Sequence, residues 1–198
     1  MDTTTISCLW IGTELSPIER LSIHSWIAMG HSVRLYAYNE ITAVPARVEL
    51  LDAEAILPRA SVQPTYGAGW TRNGYTASAN RFRYELLARR GGVWLDLDLV
   101  LLEPLHCSQP FLFAEMQPGM LNNAVLAVEH PDSAVMKRLT TIGKRPFSPH
   151  RWEPPSIRFK KRLARLGLYP RDGGAGHGWH GPYALTGGVN ELGLWRSA

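Results

Sequence analysis

One run, Ala79 to Leu105 (ANRFRYELLARRGGVWLDLDLVLLEPL), constrains this chain more than any other. Its hydrophobic period changes at a pair of glycines. Ala79, Phe82 and Leu86 recur at helical spacing, Thr76 or Ser78 can cap the segment, and Arg89 and Arg90 put positive charge in the last turn, where the helix dipole favours it. Gly91 supplies the left-handed residue that ends the helix. Beyond it Val93, Leu95, Leu97 and Leu99 point one way, and Trp94, Asp96, Asp98 and Val100 the other. A strand this apolar belongs in a sheet covered on both faces, where two adjacent carboxylates are costly to bury. A divalent cation, a shared proton, or a place at the strand's carboxyl end open to water relieves that cost. Each remedy describes a functional site; the competing reading is a chance D-x-D on an exposed strand end.

The chain before this run alternates the same elements. Ile6–Gly12 reads as a short buried strand. Ser16-Pro17-Ile18-Glu19 is a capping box with proline at the first helical position, and Leu21, Ile23, Trp26 and Ile27 carry the helix on to Gly30. Val33–Tyr38 is the next strand. Strand, helix and strand joined by short turns form a βαβ unit and imply parallel pairing. Between Asn39 and Tyr75 prolines and glycines interrupt the pattern, with a short helix expected around Leu50–Ile56. Gly67, Gly69 and Gly74 around Trp70 suggest a loop able to cover a site.

After the run, Pro110–Ala114 and Asn123–Val128 read as strands and Pro131–Ile142 as a helix. Ile157–Leu166 reads as a basic helix with Ile157, Leu163 and Leu166 as its apolar stripe. Gly173–Gly188, with seven glycines, reads as a flexible loop holding His177, Trp179 and His180.

With 198 residues, 45% of them hydrophobic and 19% charged, the chain suits one folded domain over 1–198 rather than a disordered segment. No signal peptide or membrane-spanning run is expected, and Cys8 and Cys107 read as two buried thiols of a reducing compartment, so a cytoplasmic location is expected. The net charge of +4 is uneven: residues 144–171 hold nine Lys/Arg against one acid, Glu153, or +8, which leaves 4 − 8 = −4 for the rest. That basic segment is a solvated face or a peripheral membrane contact; few aromatics interleave with it, which speaks against nucleic acid.

Ala79-Asn80, Arg83-Tyr84, Gly91-Gly92, Trp94 and Asp96-Leu97-Asp98 together resemble the DXD sugar-binding-region glycosyltransferases. That group is related to glycosyltransferase family 32 and bacterial capsular polysaccharide synthesis proteins, and more distantly to large glucosylating toxins. The resemblance implies a GT-A-like, Rossmann-related three-layer α/β fold with a mostly parallel sheet. It also implies a retaining transfer of sugar from a nucleotide donor, UDP-linked, to a glycan or other acceptor hydroxyl, in polysaccharide or glycoconjugate synthesis. Asp96 and Asp98 would hold a divalent cation, manganese or else magnesium, against the donor diphosphate. Trp10, in Leu9-Trp10-Ile11-Gly12, would stack on the nucleobase, though core packing is its ordinary role. Asn80 and Arg83, one turn apart on a helix, would contact ribose and diphosphate, though a salt bridge to an aspartate of the motif is the ordinary role for Arg83; the group usually has Asp where Asn80 stands. Asn122 and Asn123 resemble an asparagine-rich turn near the donor sugar, or form a plain turn. The late Gly181-Pro182 segment would close over the donor, with His180 adding a metal or phosphate contact. The group usually continues beyond this point, so a shortened domain is expected.

Two other readings stand beside this one. A non-catalytic relative would hold nucleotide sugar or glycan without turnover. An aspartate-nucleophile phosphatase would use the same D-x-D, but no adjacent acidic pair follows Asp98 to hold its magnesium.

Overall fold

The computed structural model describes residues 4–62, 64, 74–169 and 181–194. Six strands among these residues form one mixed sheet: β1 (Thr5–Trp10), β2 (Ser32–Ala37), β3 (Val48–Asp52), β4 (Gly92–Leu95), β5 (Phe111–Gln117) and β6 (Met120–Val128). Their order across the sheet is β3-β2-β1-β4-β6-β5. The first four are parallel; β6 runs antiparallel to β4, and β5 antiparallel to β6. Among the described residues five α-helices accompany them: α1 (Pro17–Ala28), α2 (Thr76–Arg90), α3 (Ala134–Lys144), α4 (Pro155–Arg165) and α5 (Pro182–Glu191).

The strand pleat sorts the core into two layers. Ile6, Cys8, Val33, Leu35, Val93, Leu95 and Ala127 point to one face, where Ile23 and Trp26 of α1 cover them. Tyr36, Trp94, Leu126 and Val128 point to the other, against Phe82 and Leu86 of α2, Met136 and Leu139 of α3, and Leu185 and Val189 of α5. This is the three-layer α/β architecture the alternation predicts.

Local signals explain the element ends. Ser16 and Glu19 make both halves of the capping box: Ile18 N–H donates to Ser16 Oγ (3.3 Å) and Ser16 N–H to Glu19 Oε2 (2.7 Å). Gly91 ends α2 at φ 63° and ψ −155°, a region only glycine enters freely, and a Cβ there would lie 3.0 Å from the Val128 carbonyl.

Several expectations need correction. Leu50–Ile56 is not a helix: Val48–Asp52 pairs with β2, and Asp52 then accepts the Glu54 amide to open a single 3₁₀ turn. Neither Thr76 nor Ser78 caps α2, which begins at Thr76 with Tyr75 in the cap position and no side-chain cap bond. In place of a loop through Gly188, Pro182–Glu191 is helical, with Gly187 and Gly188 packed inward. Of α4's expected apolar stripe, Leu166 faces outward while Lys161 and Ala164 face in. Both cysteines are free, but only Cys8 is buried; Cys107 is exposed. No helix among the described residues is long and apolar enough to cross a membrane.

Candidate functional site

The strand order reverses at β1. Strands β1, β2 and β3 step outward on one side, and the chain then returns to lay β4 on the other. In open α/β sheets ligands bind outside the carboxyl ends of the strands at such a reversal. β1 ends on Trp10, and β4 ends on Leu95, one residue before Asp96. Continuing the register Ser7↔Trp94 brings Trp10 level with the turn formed by Asp96, Leu97 and Asp98.

The two aspartates do not share a strand face, as the alternation suggests they would. The strand stops at Leu95, so Asp96 is the last residue to follow the pleat and Asp98 lies in the turn beyond it. Their surroundings differ accordingly. Asp96 turns toward α2, where Arg83 Nη1 lies 2.9 Å from Oδ1 and 3.0 Å from Oδ2. Trp94 Nε1 also donates to Oδ1 at 2.8 Å. The Arg83 side chain is only 5% exposed and that of Asp96 28%. Arg83 further donates to the Asn123 and Ala79 carbonyls, and its guanidinium stacks 5.0 Å over the Trp94 ring. Asp96 is therefore neutralised and fixed. Asp98 is exposed and has no ion pair or hydrogen bond to its side chain among the described residues.

The turn is held from behind by α1. Trp26 Nε1 donates to the Leu99 carbonyl (2.8 Å), the Leu101 amide donates to Ser25 Oγ (3.0 Å), and the Leu105 amide donates to His31 Nε2 (2.9 Å). Three side chains of one helix and its following turn thus anchor the segment leaving the motif. The fold also brings Cys8 close to Asp96: burial first, then the Asp96 charge, pushes the Cys8 thiol far above its ordinary range.

A second group forms where β6 bulges. The β5–β6 ladder passes from Phe113↔Leu126 to Ala114↔Asn122, leaving Asn123, Ala124 and Val125 without a β5 partner. Bulges of this kind re-aim side chains beside functional sites. The Asp96 amide donates to the Ala124 carbonyl (2.9 Å), which ties the bulge to the motif. Asn122 Oδ1 accepts from the Ala124 amide (2.9 Å), a turn-forming bond within the bulge. Asn123 Nδ2 donates to Asn80 Oδ1 (2.7 Å) and to the Tyr84 hydroxyl (3.2 Å), and that hydroxyl donates to the Gly181 carbonyl (3.3 Å). A Cβ on Gly181 would come within 3.2 Å of both asparagine amides, so the start of α5 rests directly on them. Burial raises the Tyr84 phenol to about 12, which keeps it a donor at any physiological pH.

Structure thus brings Asp96, Arg83, Asn80 and Asn123 into one hydrogen-bonded group, with Asn122 beside it and Asp98 at its open edge. Trp10 joins them at the end of β1, its Nε1 donating to the Glu14 carbonyl (3.0 Å) and its ring lying over Gly12, where a Cβ would approach to 2.7 Å. His180, His177 and Trp70 lie outside the described residues. Tyr84 and Trp94 were visible only as motif letters; nothing in the sequence pairs Tyr84 with a residue near position 181.

The donor set suits a hard cation. Among the described residues no group of three or more His, Cys, Asp or Glu could hold a metal by itself. One exposed carboxylate beside a neutralised one does fit an ion such as magnesium, which takes one or two protein carboxylates and fills its other positions with phosphate and water.

A family model described as "glycosyltransferase sugar-binding region containing DXD motif" matches residues 19–118. That span includes Asn80, Arg83, Asp96 and Asp98 and leaves out Trp10, Asn122 and Asn123. No curated protein matches the chain. Among solved structures, the PaToxG glycosyltransferase aligns with a TM-score of 0.58 at 12% identity, over 96% of this chain and 68% of that one. A second, a transferase carrying two cysteine-to-serine changes, aligns at 0.46 and 9% identity, over 85% and 87%. The PaToxG likeness agrees with a GT-A-like α/β fold.

Proposed function

Because the chain belongs to the glycosyltransferases whose sugar-binding region contains a DXD motif, we propose that it moves a sugar from a UDP-linked donor to an acceptor hydroxyl with retention, in polysaccharide or glycoconjugate synthesis. The observation that carries this reading is the unequal pair at the sheet's reversal: Asp96 locked by Arg83 and Trp94, Asp98 exposed beside it. UDP and retention come from the family resemblance.

Asp98 would hold the divalent cation, manganese or magnesium, and Asp96 would complete the site from its fixed position. When bound, that cation offsets the charge of the departing diphosphate. Trp10 offers a half-buried indole for the nucleobase at the end of β1. Asn122 lies near the donor sugar. Asn80 and Asn123, buried beneath Gly181, hold the start of α5 over the donor and fix the carbonyl that Arg83 grips. Arg83 acts on the diphosphate through Asp96, whose carboxylate it orients.

The test is release of UDP from UDP-sugars by the purified chain with manganese. Turnover is expected, with loss of at least a hundredfold in Asp98→Ala. Unchanged turnover in that variant refutes the assignment. UDP binding by calorimetry without turnover would instead support a non-catalytic relative.

A further inference from the structure

Helix α4 presents a face that nothing among the described residues covers. Its inward side is Lys161, whose ammonium pairs with buried Glu153 and donates to the Ser148 carbonyl, together with Ala164. Phe159 and Leu166, seven residues apart and so on one stripe, point outward at 60% and 71% exposure. Leu168, just past the helix, is 71% exposed as well. Arg162 lies between the two apolar side chains, and Arg158 and Arg165 flank them on one side. Lys160, on the other flank, lies 5.9 Å over the Tyr169 ring. None of these four cations has a carboxylate partner among the described residues.

This combination narrows the partner. A soluble polyanion rewards the cations but leaves Phe159, Leu166 and Leu168 in water. A protein groove rewards the apolar stripe but must also supply acids for several arginines. The headgroup and upper acyl layer of an anionic bilayer accepts both, since an interfacial helix buries its apolar stripe while flanking Lys and Arg meet lipid phosphates. We propose that α4 docks the protein onto an anionic lipid surface, with Phe159 and Leu166 entering the acyl boundary and Arg158, Arg162 and Arg165 meeting the headgroups. The excess of basic over acidic residues between 144 and 171 supplies the matching long-range attraction.

The experiment is flotation of the whole chain with two kinds of vesicle, pure phosphatidylcholine and phosphatidylcholine containing phosphatidylglycerol. Binding is expected only to the anionic vesicles. The double variant Phe159→Ser, Leu166→Ser keeps every charge and should lower it roughly tenfold or more. Arg158→Gln, Arg162→Gln, Arg165→Gln should lower it about a hundredfold, near fivefold per cation. Neither set touches the sugar-transfer site, so circular dichroism and UDP release in solution should match the parent. Absence of vesicle binding overturns the proposal. So does anionic binding that the Phe159/Leu166 variant leaves unchanged, which would point to a soluble polyanion.

Discussion

The unequal aspartates make a prediction that stability and activity should separate. Asp96→Asn leaves the Arg83 guanidinium almost fully buried with no anion, while Trp94 Nε1 loses its charged acceptor. Removing one partner of a buried ion pair costs about 3–5 kcal/mol. Because the Asp96 side chain is 28% exposed, water recovers part of this, and about 2–3 kcal/mol is the expected loss. For a chain of this length that lowers Tm by roughly 5–10 °C. Asp98→Asn removes an exposed carboxylate and should stay within about 0.5 kcal/mol of the parent. Thermal unfolding with and without manganese and UDP reads both effects together. The parent should gain most Tm with the ligands and Asp96→Asn part of that gain, whereas Asp98→Asn should gain little. Equal losses of Tm in the two variants, or a ligand shift retained in Asp98→Asn, would refute the division of roles.

Other outcomes follow from single contacts. Gly187→Ala places a Cβ 2.3 Å from the Trp152 indole, and should destabilise by about 1–3 kcal/mol in thermal unfolding, partly recovered by adding Trp152→Leu. Trp10→Ala should weaken UDP binding by about fivefold or more in calorimetry, since stacking on an aromatic is worth about 1 kcal/mol or more. The Cys8 thiol gives an alkaline limit. Its folded pKa is raised above the ordinary 9.0, so the unfolded chain releases this proton first, and stability falls as pH climbs past 9, by about 1.4 kcal/mol per pH unit. Chemical denaturation at pH 8, 9 and 10 should show that slope in the parent and a flatter one in Cys8→Ala.

What the sequence determined by itself was local. The capping box at Ser16, the change of period at Gly91 and the alternation from Val93 to Leu97 each depend on neighbours within a few residues. They suffice to predict which side of each element is apolar and hence a layered α/β fold. They also flagged Asp96 and Asp98, because carboxylates inside so apolar a run need a reason. The pairing partners were not legible. Leu50–Ile56 carries apolar residues that suit a helix or a strand, and only the free edge of β2 makes Val48–Asp52 a strand. The two glycines of α5 argue against a helix locally, yet Trp152 occupies the space that side chains at Gly187 would need. Lys161 belongs by type on a solvent face and is turned inward by Glu153. The same holds at the site: only the end of β4 at Leu95, the bulge in β6 and the approach of Arg83 from α2 make one aspartate fixed and its neighbour exposed. Short-range periodicity records which side of an element avoids water, whereas the partner it meets there depends on residues brought together from far along the chain.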